Sequence, residues 1–196
     1  MDWREDASGH RGVGSFTGTS LTEVSALLPL DNPFWQFSLR VYAQPQVAAE
    51  CLELQRVLSI NVNVLLFCSW IAISRRIALD AADIRWLESE IYDWHRLAVL
   101  PLREIRDTLK SSSEMRHQAV QAFRKQILAN ELRAEQIEQA LLFQLSESLS
   151  RPPATMPVRD IIAGNIELLR SLSLTPASGE TSALALIEAS LAAGEI

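Results

Sequence analysis

The sequence predicts an all-α protein, a single-domain bundle of about six to eight helices around a buried central helix over about residues 61–74. Three observations predict it. Apolar residues recur at three- and four-residue intervals along most of the chain, as they do in helices with one face turned inward. Capping residues open these segments, and Pro- or Ser-containing breaks separate them. One stretch, Val62–Ile73, is apolar on every side, with Asn63 and Ser69 as its polar exceptions. A helix of that kind has to be covered by others, and an apolar fraction of 48% supplies the material.

Residues 1–19 hold four of the seven glycines and show no hydrophobic period, which predicts a disordered tail. A helical domain is expected over residues 20–150. Ser20-Leu-Thr-Glu23 has capping-box spacing and predicts a short helix over Leu21–Leu28. Asn32-Pro33 supplies an N-cap and a first-turn proline for a largely buried helix carrying Phe34, Trp35, Phe37, Leu39, Val41 and Tyr42. The next helix runs over Pro45–Leu58, with Val47, Ala48, Cys51, Leu52, Gln55 and Leu58 on one face. The central helix follows a short link at Ser59-Ile60, with Ser59, Asn61 or Asn63 as N-cap and Arg75-Arg76 where cations suit the C-terminal end of the dipole. Its run of about 12 apolar residues rises roughly 18 Å, against a bilayer core of about 30 Å, so membrane insertion is not expected.

Asp80 caps a long amphipathic segment, about 81–110, whose apolar positions run from Ile84 to Leu109. Pro101 interrupts it and predicts a kink near Val99-Leu100. This kinked segment and the Asn32 helix are expected to enclose the central helix. Ser111-Ser-Ser-Glu114 is a second capping box and predicts a helix from Ser112 to about Leu149, with Met115, Ala119, Phe123, Ile127, Ala134, Ile137, Leu141 and Leu145 inward. Residues 151–157, Arg-Pro-Pro-Ala-Thr-Met-Pro, read as a linker. Residues 158–196 read as a helical extension packed on the main domain, with helices over about 158–172 and 183–193.

The net charge of −6 and the absence of a polybasic run argue against a nucleic-acid surface. Cys51 and Cys68 lack metal-like spacing, and Asp2, Glu5 and Asp6 precede any apolar run. Both features suit a reducing cytoplasm with buried thiols. No Ser-His-Asp or Cys-His arrangement, phosphate-cradling glycine loop or zinc spacing is present, so no catalytic residue, metal ligand or cofactor is predicted. Glu114-x-x-His117 lacks the second copy that a di-iron bundle needs. Asp80 and Asp83 suit capping better than Mg²⁺ binding.

Arg96, Arg103, Arg106 and Lys110 follow one rotation of the long segment, either as a salt-bridged face or as a basic groove. His95 is placed to bond a carbonyl freed by Pro101. Trp70 and Trp94 read as core or groove walls, and Asn63 and Ser69 as capping groups or the lining of a small polar site. The speculative binding set is therefore Trp70, Trp94, His95, Arg96, Arg103 and Asn63.

Asn32-Pro-Phe-Trp-Gln-Phe-Ser-Leu-Arg-Val-Tyr42, Asn61-Val-Asn-Val-Leu-Leu-Phe-Cys-Ser-Trp70 and the Trp94–Lys110 segment with Pro101-Leu-Arg103 resemble a proteobacterial family of small proteins of unknown function, number 2390 in the domain-of-unknown-function series. The resemblance covers roughly Asp31 to Leu149. It implies a bacterial origin and brings no catalytic residues with it. Of two functions, the sequence favours the first, a non-enzymatic module, and keeps the second as the alternative. The first is a helical module that binds a protein partner or a second copy of itself. The second is a small-molecule protein or enzyme with an apolar pocket and an Arg-lined anion site.

Overall fold

The computed structural model describes residues 28–173 and 182–194. The glycine-rich head and the helix expected from Leu21 lie outside the described residues. The described chain is an all-α bundle of eight α-helices: α1 (Pro33–Tyr42), α2 (Pro45–Leu58), α3 (Val62–Arg75), α4 (Ala81–Trp94), α5 (Leu100–Lys110), α6 (Gln118–Ser146), α7 (Val158–Leu172) and α8 (Leu184–Gly194).

Local chemistry explains the boundaries. Asn32 caps α1 by accepting from Trp35 N, and Pro33 occupies its first turn. Ser59 ends α2 in the left-handed region at φ 55°. Of the three candidate caps for α3, Asn61 performs the role, with its Oδ1 accepting from Asn63 N. Asp80 and Asp83 form a reciprocal capping box on α4.

Helix α3 is the centre. Every residue from Asn63 to Ala72 is buried. Trp70 packs against Phe34, Phe67 and Phe143 with ring centroids 5.3, 5.7 and 5.6 Å away. The broadest cover of α3 comes from α7, then α6 and α8, with α1 and α2 closing the rest. This corrects the expected enclosure, because the α4–α5 segment packs mainly on α6 and α7. Amphipathicity gives the reason. Helix α7 offers Ile161, Ile162, Ile166 and Leu169 on one face, whereas α5 buries no residue at all.

The proline is absorbed differently from a simple kink. His95–Val99 form one π-helical turn between α4 and α5, with Leu100 N donating to His95 O. The wider turn lies directly before Pro101, which has no N–H to give and whose ring crowds the preceding carbonyls. The helix expected from Ser112 also starts later. Ser112 caps a 3₁₀ turn over Ser113–Arg116, His117 is extended, and α6 begins at Gln118.

The proline-rich segment is tied down. Ala154 N donates to Arg76 O at 2.8 Å, and Arg76 Nε returns a bond to Ala154 O at 3.1 Å. Buried Asn165 of α7 accepts from Leu79 N and donates to the Cys68 and Ile77 carbonyls. The Glu50 carboxylate of α2 accepts from Ala185 N and Leu186 N at the start of α8. Among the described residues, no helix is long and apolar enough to cross a membrane.

Candidate ligand-binding site

A cavity of about 600 Å³ opens between α1, α2, α5 and α6, with the first turns of α3 as its floor. Helical spacing builds its walls. Helix α1 turns Phe34, Phe37 and Val41 to the core and presents Trp35, Ser38, Leu39 and Tyr42 to the cavity. Helix α2 buries Val47, Cys51, Leu54 and Leu58 and gives the cavity Leu52, Gln55 and Arg56. The single inward face expected for α2 is therefore two faces. Helix α6 contributes Leu128, Glu131, Leu132, Glu135 and Gln139, a stripe at intervals of three and four. Val62, Asn63 and Leu66 complete the floor.

The charged groups of the wall are paired across α5 and α6. Arg103 Nε donates to Glu131 Oε1 at 3.2 Å, and its Nη2 donates to Glu135 Oε1 at 2.6 Å. Arg106 Nη1 lies 3.0 Å from Glu131 Oε2, and the same guanidinium bonds Asp107. Burial pushes the Glu135 carboxyl up, and Arg103 offsets this only in part. Burial alone would lower the Arg103 guanidinium, but Glu135 and Glu131 reverse that and raise it. The Tyr42 hydroxyl is raised, chiefly by burial, with Cys51 and Glu135 adding.

Behind the floor lies a polar cluster. Glu138 is fully buried, and its Oε1 accepts from Asn61 Nδ2 at 2.7 Å and Asn63 Nδ2 at 2.9 Å. Its Oε2 lies 2.9 Å from His95 Nδ1, and Asn61 Nδ2 lies 3.1 Å from the same ring nitrogen. Asn63 Oδ1 in turn accepts from Gln139 Nε2 at 2.8 Å. Gln139 Oε1 and Ser38 Oγ have no partner, whereas Glu131 Oε2 lies against Arg106. Both Ser38 and Gln139 are buried residues that line the cavity.

The residues singled out in the sequence separate into different surroundings. Asn63 and Arg103 line the cavity. His95 sits behind it, bonded to Glu138 rather than to a carbonyl freed by Pro101. Trp70 is in the aromatic core, and Trp94 donates its Nε1–H to Ala134 O of α6. Arg96 is on the surface, over the Tyr92 ring and 3.9 Å from Asp93. A pocket walled jointly by Trp70, Trp94, Arg96 and Arg103 does not form. Ser69 is fully buried with an unpartnered hydroxyl, away from the cavity. Glu114 and His117 make an exposed contact at 3.3 Å. Among the described residues, no three His, Cys, Asp or Glu side chains come together as a metal site would require.

Glu131, Glu135, Glu138 and Gln139 were not singled out in the sequence. Their spacing on α6 matches a solvated helix face, and only the partners Asn61, Asn63 and Arg103 distinguish them from one. No curated protein and no solved structure matches the chain. A family described as protein of unknown function (DUF2390) matches residues 33–142, which spans α1 through most of α6 and so every wall of the cavity. That match covers more than half of the 196 residues, and the chain belongs to this family of proteins of unknown function.

Proposed function

We propose that this protein binds a small, largely apolar molecule in the cavity between α1, α2, α5 and α6. One observation carries the proposal: two oxygens on buried side chains, Ser38 Oγ and Gln139 Oε1, have no partner in the wall of a single cavity. Buried polar groups are nearly always paired, and each exception costs about 1–3 kcal/mol. Two such groups around one space fit a site completed by a ligand. A volume of about 600 Å³ suits such a molecule, and the apolar walls with a few convergent polar groups are the usual composition of a binding pocket. The Arg-lined anion site expected from the sequence finds little support, because Arg103 and Arg106 are already engaged by Glu131, Glu135 and Asp107. Cys51 and Cys68, free and buried thiols that burial pushes up to about 12, suit a reducing compartment.

The test is a thermal-shift screen of small apolar compounds on the wild type and on Leu39→Trp, which fills the cavity from α1. Stabilisation of the wild type that is lost in the variant supports the proposal. Absence of any stabiliser, or equal stabilisation of both proteins, overturns it.

A second function has its own observation. Leu97, Leu100, Ile105 and Phe123 are 44–64% exposed on the α5–α6 arm, where α5 buries no residue. Such an apolar surface fits self-association. Light scattering of the wild type and of Phe123→Glu tests it: a dimer converted to a monomer supports it, and a wild-type monomer rejects it.

A further inference from the structure

We infer that the head of the bound molecule is a hydrogen-bond donor, an amine or a hydroxyl, and not an anion; this inference rests on the cavity being a binding site. The reason is a chain of amides whose orientations are set from both ends. Asn63 N is a donor, so Asn61 must turn its Oδ1 to it, and this leaves Asn61 Nδ2 facing Glu138 Oε1. Glu138 Oε1 is therefore an acceptor. Asn63, 2.9 Å from the same oxygen, must also present its Nδ2 and not its oxygen. Asn63 Oδ1 then points the other way and accepts from Gln139 Nε2 at 2.8 Å. A donor at that position forces Gln139 Oε1 outward as the terminal acceptor, and it is left without a partner. Reversing any one amide would place two oxygens or two N–H groups against each other.

The neighbouring groups point the same way. The Glu131 carboxylate, held by Arg103 and Arg106, sets further acceptor oxygens on the same wall. Glu131, Glu135 and Gln139 lie four residues apart on α6, one above the next, so acceptors run along one wall of the cavity. The charges lining the cavity balance, with Arg56, Arg103 and Arg106 against Asp107, Glu131 and Glu135. An anionic head would find Arg103 and Arg106 engaged and the acceptor stripe repelling it. The unpartnered oxygens are closed to solvent, so a donor carried in on an apolar body reaches them with a small rotation of the lining side chains.

The test uses the full chain and three probes of equal length, n-octylamine, n-octanol and n-octanoate, below their micelle concentrations, with affinity read by calorimetry. The inference expects the amine and the alcohol to bind at least tenfold more tightly than the carboxylate. In Gln139→Met, which removes the terminal acceptor, the gap between n-octanol and n-octanoate should fall below threefold. Octanoate binding as tightly as octanol to the wild type overturns the inference and leaves the cavity proposal standing. A gap that persists undiminished in Gln139→Met also overturns it. If none of the three probes binds, both the inference and the proposal it rests on are lost.

Discussion

Glu138 holds Asn61, Asn63 and His95 together from a fully buried position, so its removal should be felt as orphaned donors. Glu138→Leu keeps the volume and deletes both acceptor oxygens. Each buried donor left unpaired costs about 1–3 kcal/mol. Asn63 bears the full cost at 5% exposure, whereas the His95 side chain, 20% exposed, recovers part of it from water. Loss of the buried charge itself returns some desolvation energy. The net expectation is a destabilisation of about 3 kcal/mol, or roughly 6–12 °C in Tm for a domain of this size. Glu138→Gln separates the contributions. Its amide oxygen still accepts from both asparagines, and its NH₂ donates to His95 Nδ1 in the tautomer protonated at Nε2. That variant should lose only about 1 kcal/mol. Urea denaturation of the three proteins, followed by tryptophan fluorescence and circular dichroism, measures both differences. A Leu variant that loses less than about 1 kcal/mol, or a Gln variant as damaged as the Leu variant, would refute the network as a structural element.

Other expectations follow from single groups. Ser59 is exposed in the left-handed region after α2, so Ser59→Gly should raise stability by about 0.5–1 kcal/mol in the same urea assay. Asn165→Leu removes one acceptor and two donor contacts from α7 to Cys68 of α3 and to Ile77 and Leu79 beyond it, and should lower stability by about 3 kcal/mol. Burial raises the Cys51 and Cys68 thiols from 9.0 to about 12. The unfolded chain releases those protons first, so their contribution is complete below about pH 9 and declines as the pH rises towards 12. An alkaline urea series should show that decline, and both thiols should resist a chromogenic disulfide reagent until the chain unfolds. Their reaction in the folded protein at neutral pH would contradict the burial.

Helix placement was largely legible in the sequence because local chemistry determines it. Asn32-Pro33, Pro45, Asp80 and the apolar run of α3 act within one or two turns of themselves. What could not be read was which helix covers which. Phe123 and Ile105 have the helical period of core positions, yet they are 49% and 44% exposed because, among the described residues, no third helix lies over the α5–α6 arm. The cavity was hidden for the converse reason. Trp35, Leu39 and Tyr42 widen the apolar stripe of α1 and made it look largely buried, and only the packing shows that they face a space. Asn63 was recognisable as a polar residue in an apolar helix. Its partners Glu138 and Gln139, more than 70 residues away, are ordinary members of a charged helix until α6 is laid against α3.

The central claim concerns the cavity, and its aliphatic walls offer a direct test. Leu39, Leu52, Leu66, Leu128 and Leu132 all line it. Methyl NMR of leucine-labelled protein, titrated with n-octanol, reports on each of them at once. The account predicts saturable shifts concentrated in these five residues, with the exposed Leu97 of the π turn and Leu100 of α5 unmoved. Saturable shifts confined to the surface leucines, or no shifts at all, would contradict it.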